Sequence, residues 1–338
     1  MENDDEVMIR NCAVGLNPID WKSVDYNFCI PEFPWVTGRE MAGVVEKVGA
    51  AVTNLKPGDR VWTSTYYRDV RAGCFQKFVI VPQHTVVHIP SDLAFESAAC
   101  LGVGALTATM TLQKWLDIPS SFSPHSSSPQ SFNTVQDHQP SQIEEEWLLI
   151  WGGATITGQF ATQIASRSGV KVITVTSART KPLSLSLGAT HVIARDGKSN
   201  ADIVAEIKSF LEPSISAPSS NARRRCITRA IDLVGQSTAP STLECLASHR
   251  PALFAPLAMM SPKTPVPDNV TIPAVEMKRF VLDKSSREYA VEINRLIESG
   301  GLKLPELLVL DGGLGDVVKG LEMVKKGDMG GKKVVVRV

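Results

Sequence analysis

The sequence predicts an α/β protein built as two domains, one β-rich and one a doubly wound parallel sheet. Three observations carry that expectation. Beyond residue 147, near-continuous apolar strands alternate with amphipathic helices, the pattern of a parallel sheet covered on both faces. The first of these strands runs straight into Trp151-Gly152-Gly153-Ala154-Thr155-Ile156-Thr157-Gly158, a small-residue turn that opens a helix. Residues 7 to 114 instead break into short apolar segments punctuated by Gly and Pro.

Taken in order, Gly43 to Val48, Arg60 to Thr63 and Phe78 to Val81 read as strands, and Glu96 to Leu116 as a helix of small residues. From Pro119 to Gln142 the chain turns to Ser, Pro, Gln and His, with little that packs, which predicts a solvated surface insertion. The β-α rhythm then gives strand 147–151, helix 157–168, strand 170–176, helix 182–187, strand 191–194, helix 200–211, strand 228–234, helix 238–248 and strand 252–257. A second polar interruption, Glu212 to Arg225, ends in Arg223-Arg224-Arg225. Such a run is usually a solvated loop, the sharper alternative being a patch for phosphate or an acidic partner. A helix near 286–299, strand 307–310, a helix near 314–325 and strand 333–338 follow. So late a strand must find a sheet, and pairing it with the first region makes the β-rich domain discontinuous. The expected division is 1–114 for the β-rich domain, 115–146 for the helix end and insertion, 147–260 for the parallel sheet, and 261–338 for the return.

With 338 residues, 43% of them hydrophobic, the chain has material for a large core and is more comfortable as two domains than one. Lys plus Arg equal Asp plus Glu at 35 each, so no net field recruits nucleic acid or an anionic membrane. The acidic start Met1 to Glu6 is unlike a secretory signal, and no uninterrupted apolar stretch approaches the roughly 20 residues of a membrane helix. A soluble cytoplasmic protein is expected. Six dispersed cysteines without a C-x-x-C pair suit buried thiols better than disulfides or a zinc site.

The turn after strand 147–151 is the arrangement that seats a dinucleotide pyrophosphate on the free N–H groups of a helix start, although Thr155 fills the middle of the three usual glycine positions. The next strand ends at Ser177-Ala178-Arg179-Thr180-Lys181, with no Asp or Glu to hold ribose hydroxyls. Ser177 offers a hydrogen bond, and Arg179 and Lys181 offer charge, to a 2′-phosphate, so the expected cofactor is NADPH.

Several segments together resemble the medium-chain dehydrogenase/reductase superfamily: Asn17-Pro18-Ile19-Asp20-Trp21-Lys22, Gly38-Arg39-Glu40-Met41-Ala42-Gly43, and Lys56-Pro57-Gly58-Asp59-Arg60-Val61. Asn17-Pro18-Ile19-Asp20 stands where the zinc members carry a Cys ligand, and Arg39 stands for their His; a guanidinium does not ligate a metal. The resemblance is therefore to the zinc-free branch, and no metal is expected. Within it, Gly152 to Thr157, Cys100 to Ala108 and the ending Gly327 to Val338 are similar to the fungal trans-acting enoyl reductases of the lovastatin enoyl reductase type. The resemblance implies a GroES-like partial β-barrel domain and a Rossmann domain, with substrate and nicotinamide meeting in the cleft between them. It implies NADPH-dependent reduction of an α,β-unsaturated polyketide thioester carried by the acyl carrier domain of a partner polyketide synthase, by a monomer. It places Lys22 near the nicotinamide as an oxyanion or ribose contact and Thr107 as a helix-start hydroxyl for the carboxamide. Cofactor contacts are expected from Asp20, Trp21, Lys22, Gly152, Ala154, Thr155, Ile156, Thr157, Ser177, Arg179, Thr180, Lys181, Arg195, Leu257, Val335 and Val336.

Tyr26, Tyr66 and Tyr67 are candidate proton donors that spacing does not separate, and the histidines, His84, His88, His125 and His138 among them, are scattered. Three departures stand out. The chain opens at Asp4 to Ile9, already at the strand before the Asn-Pro motif, so the family's opening strands are expected to be missing and a sheet edge open. Arg195 replaces a tyrosine that stacks near the adenine, and 262–284 is shorter than the family's substrate-lining loop. These keep two alternatives in view: a homologue that binds a polyketide intermediate without redox chemistry, and a quinone or enone reductase of free small molecules.

Overall fold

The computed structural model describes residues 2–66, 68–121, 144–212, 224–327 and 329–338. Most of the expected insertion at 119–142, most of the 212–225 interruption with Arg223, and Tyr67, His125 and His138 lie outside the described residues. The chain divides into two compact units, Met1–Thr107 with Glu276–Val338, and Ala108–Val275.

The first unit opens with β1 (Glu6–Gly15), a helix at Pro18–Asp25, β2 (Glu40–Val48), β3 (Arg60–Ser64), β4 (Phe78–Pro82) and β5 (Val86–His88). A helix follows at Phe95–Trp115. The second unit runs β6 (Glu145–Trp151), helix Ile156–Arg167, β7 (Lys171–Thr176), helix Lys181–Ser186, β8 (His191–Ala194), helix Asn200–Leu211, β9 (Arg225–Asp232), helix Ala239–Glu244, β10 (Ala252–Pro256) and the short β11 (Val270–Thr271). The chain returns to the first unit with helix Arg287–Glu298, β12 (Leu307–Leu310), helix Val317–Lys326 and β13 (Lys333–Arg337).

In the second unit the described strands lie in the order β11-β10-β9-β6-β7-β8, all parallel. Strand order reverses between β6 and β9, and ligands of such sheets bind beyond the carboxyl ends of the strands at that point. β6 is buried from Trp147 to Trp151, as a strand covered on both faces must be. Trp147, Leu149, Ile173, Ile193, Ile227 and Phe254 share one core cluster with Ile203 and Ile207 of the helix beside them.

In the first unit β1 is the spine. It pairs with β2 along one edge, and with β4 (Val7↔Val81) and then β13 (Val14↔Val336) along the other. The open edge expected where the chain begins is therefore not found at β1, because the last strand and β4 cover it. The antiparallel β1–β13 pairing makes this unit discontinuous, as the late strand required.

The helix Phe95–Trp115 is apolar and long enough to cross a membrane by length and composition, and 72% of its most apolar stretch is buried in the protein, as in a core helix. Ser, Thr and Gly interleaved along it keep it from reading as an uninterrupted apolar run. Two π-helical turns, Leu101–Ala105 and Thr111–Trp115, interrupt its α-helical geometry. Only glycine fits at Gly102, where a Cβ would stand 2.6 Å from the Thr63 carbonyl oxygen.

That close approach delivers a backbone donor to a buried carboxylate. The Val103 N–H donates to Glu40 Oε2 at 2.6 Å, while Glu40 Oε1 accepts from Asn17 Nδ2 at 2.9 Å and from Lys333 Nζ at 2.5 Å. Lys333 Nζ also donates to Asn17 Oδ1 and the Leu16 carbonyl. Glu40 is 0% and Lys333 2% exposed, so each charge depends on the other. Removing one partner leaves an unpaired buried charge, at a cost of about 3–5 kcal/mol. Glu40→Gln and Lys333→Met are expected to lower the unfolding free energy read from urea titration by that much each, and the double variant Glu40→Gln/Lys333→Met by less than the sum; additive losses would show that the pair is not coupled.

Candidate functional site

The glycine turn leaves β6 at its carboxyl end, beside the strand-order reversal. Gly152 has φ +98, open to glycine but not to other residues, and the Gly152 and Gly153 N–H groups both donate to the Val175 carbonyl of β7. Gly153 lets the turn lie on β7, since a Cβ there would meet the Thr174 side chain at 2.5 Å. Gly158 lets the helix start pack under the turn, where a Cβ would stand 2.4 Å from the Gly152 oxygen. Thr155 needs no such freedom: its φ is −65, it is the N-cap of helix Ile156–Arg167, and its hydroxyl accepts from the Gly158 N–H at 3.1 Å. The residue that departs from the glycine pattern thus satisfies the third donor of the helix. Ile156 and Thr157, in the first turn, keep N–H groups that have no intrahelical acceptor. Ala154 completes the turn, its carbonyl accepting from Gln159 Nε2.

At the end of β7, Ser177 is turned toward its own loop. Its hydroxyl meets Thr180 Oγ1 at 2.8 Å and accepts from the Thr180 N–H, and Thr180 Oγ1 also meets Thr176 Oγ1 at 2.6 Å. Thr180 is 5% exposed and belongs to that hydroxyl chain, whereas Arg179 and Lys181 are exposed. An acid does stand here, contrary to the sequence expectation: Asp196 Oδ2 accepts the Ala178 N–H at 2.5 Å. It comes from the turn after β8, immediately beyond the exposed Arg195, and no motif at the end of β7 announces it. Leu257, just beyond β10, donates its N–H to the Asp232 carbonyl. The Asp232 carboxylate, itself 0% exposed, shapes the loop after β9 by accepting the Val234 and Gly235 N–H groups and the Thr242 hydroxyl. Sequence reasoning missed that role; an Asp closing an apolar strand is the signal for it.

In the first unit the Asn-Pro segment opens a helix. Asn17 is its N-cap, Pro18 holds N1, and Asp20 Oδ2 accepts the Asn17 N–H at 2.9 Å. This presents Trp21 and Lys22 from one short helix. Lys22 Nζ and Lys325 Nζ lie 5.7 and 5.6 Å from the Trp21 ring centroid, Lys325 also pairing with Asp25. Partial burial lowers the pKa of Lys22 below the ordinary lysine value. Asp20 is completely buried, its Oδ1 without a hydrogen-bond partner, and burial raises its carboxyl to about 7 against the Asn17 hydrogen bond and the charges of Arg39 and Lys333. Arg39 lies over the Tyr66 ring at 5.5 Å, and Tyr66 Oη accepts from Arg68 Nε. Among the described residues no cluster of His, Cys, Asp and Glu is arranged to hold a metal ion.

Two assignments change position. Thr107 is not at a helix start: it follows the π turn inside Phe95–Trp115 and is 9% exposed. Val335 and Val336 are 0% exposed, paired to both β1 and β12, and Val336 belongs to the core cluster of this unit, so their side chains have no surface to offer a ligand.

Residues 3–91 match the alcohol dehydrogenase GroES-like domain. Among solved structures, the chain is similar to Escherichia coli quinone oxidoreductase complexed with NADPH (TM-score 0.74, 20% identity, 99% of this chain and 92% of that one). It is equally similar to the CurK enoyl reductase (TM-score 0.73, 20% identity, 100% and 93%). The fold is that of the medium-chain dehydrogenases/reductases, a GroES-like domain with a Rossmann-like parallel sheet. Among curated proteins, the chain is similar along nearly its whole length to fungal trans-enoyl reductases such as himH of Aspergillus japonicus, 26% identical over 98% of this chain and 90% of the relative.

Two outcomes test this geometry. Thr155→Ala removes the cap and should cost about 1 kcal/mol of unfolding free energy, while Thr155→Gly should cost only about a few tenths; equal losses would deny the capping role. An unfolded aspartate titrates near about 4. Asp20, raised to about 7, therefore stabilises the fold most when protonated, and that contribution is lost as pH rises through about 7. Urea titrations at about pH 5 and about pH 8 should show a steeper loss in the wild type than in Asp20→Asn.

Proposed function

We propose that the chain is an NADPH-dependent enoyl reductase that acts in trans, as a cytoplasmic monomer, on an α,β-unsaturated polyketide thioester carried by a partner polyketide synthase. The observation that carries this reading is the similarity to trans-enoyl reductases along 98% of the chain. The second unit supports it, because its turn fits a dinucleotide: Gly152 and Gly158 occupy places a Cβ would fill or strain, and the helix start behind them has unused donors. Bound there, NADPH would supply a hydride. The Ile156 and Thr157 N–H groups would hold the pyrophosphate, and Arg179 and Lys181 would face the 2′-phosphate.

Reduction of an enoyl thioester adds a hydride to the β-carbon and gathers negative charge on the thioester oxygen until the α-carbon takes a proton from solvent or a donor; a group placed for that charge accelerates the step by binding the transition state more tightly than the ground state. Lys22 takes that role. Its Nζ, partly desolvated beside Trp21, would hold the oxygen, and the same desolvation keeps its proton more easily released than that of a surface lysine. Thr107 would orient the carboxamide from within its helix. The likeness in fold to a quinone oxidoreductase favours one second reading, reduction of free quinones or enones.

Mixing the purified protein with NADPH and a short enoyl thioester should consume nicotinamide absorbance. NADPH binding without turnover would favour a non-redox homologue, and turnover of free quinones but not thioesters would favour the second reading. Lys22→Met should lower kcat by about a hundredfold or more. In the wild type the alkaline limb of kcat/KM should fall below the ordinary lysine range, since the Lys22 pKa is lowered. Lys22→Arg, which stays charged, should lack that limb.

A further inference from the structure

The acid found beside the end of β7 bears on which cofactor the site prefers. β7 and β8 pair in parallel with Thr176 opposite Ala194, so the residues just past each strand, Ser177-Ala178 and Arg195-Asp196, emerge side by side. Asp196 uses that register to place its carboxylate on the Ala178 N–H at 2.5 Å. In the same loop the Thr180 N–H is engaged with Ser177, and the Ser177 and Thr180 hydroxyls with each other. The Ala178 N–H is thus a backbone donor, at the ribose-recognising end of the second strand, that a carboxylate already fills.

We propose that Asp196 is a specificity-determining residue of the nucleotide site: its carboxylate stands in for the 2′-phosphate and must leave the Ala178 N–H before NADPH can bind. This rests on the dinucleotide reading of the glycine turn. Two anions cannot share one donor, and their repulsion at such range opposes binding of the second. Arg179, Lys181 and Arg195, all exposed around the same loop, supply the positive field that draws the phosphate in. Asp196 therefore sets how far the site discriminates between NADPH and NADH. NADH lacks the 2′-phosphate and leaves the Asp196–Ala178 bond in place.

Asp196 is exposed, and its replacement removes a surface cap on the Ala178 N–H, the first donor of the 3-10 turn Ala178–Thr180, without opening a core. Calorimetric titration of NADPH, NADH and the fragment 2′,5′-ADP into the wild type, Asp196→Ala and Asp196→Asn tests the proposal. Asp196→Ala, which frees the donor and removes the charge, should tighten NADPH and 2′,5′-ADP by about tenfold and leave NADH within about twofold. Asp196→Asn, which removes charge while its amide oxygen still accepts the N–H, should fall between. An unchanged NADPH to NADH ratio in Asp196→Ala would overturn the proposal while leaving the dinucleotide site standing. Weaker NADH binding in that variant would also overturn it, assigning Asp196 to the ribose hydroxyls. Failure of the wild type to bind either nucleotide would overturn both the proposal and the reading beneath it.

Discussion

One buried ion pair organises the first unit. Glu40 and Lys333 sit almost without solvent, and between them they hold the end of β1, the cap of the Lys22 helix, β2, β13 and the π turn at Val103. A charge so buried tolerates neither a missing partner nor a displaced one, so five segments share one geometry. Asn17 is the relay. It links the pair to the helix that presents Trp21 and Lys22, so the residue given the chemical role is held by a network made of other residues.

The second unit solves its problem with backbone rather than charge. Glycines at 152, 153 and 158 let β6, β7 and the following helix approach to distances that side chains forbid, and the helix start is exposed as a result. Thr155 shows that a motif position names a requirement and not a residue. Where φ is negative and a donor needs capping, a threonine serves better than the glycine that the pattern leads one to expect.

The parallel sheet was legible because its signals are local. Apolar strands and amphipathic helices fall close to where periodicity put them, with the strand at 171–176 and the helix at 200–211 matching nearly residue for residue. The helix at Pro18–Asp25 has its own local signal, Asn17, Pro18 and Asp20 in capping positions. What stayed hidden depends on distance along the chain. Asp196 reaches Ala178 only through sheet register, and Lys333 reaches Glu40 across 293 residues. Thr107 was misplaced for a different reason: a glycine-rich segment imitates a helix start when a π turn in fact carries the helix through it.

The β1–β13 pairing also fixes an order of events during synthesis. The second unit is one continuous stretch, and all its described strands have been made once β11 has. The first unit has no such independence, because the ammonium that neutralises Glu40 is translated long after the strands around it. Until Lys333 emerges, Glu40 has to remain in water or protonated, and closing that unit around it would be unfavourable. The β-rich unit therefore stays unfinished until Lys333 has been made, whereas the parallel sheet does not wait for it.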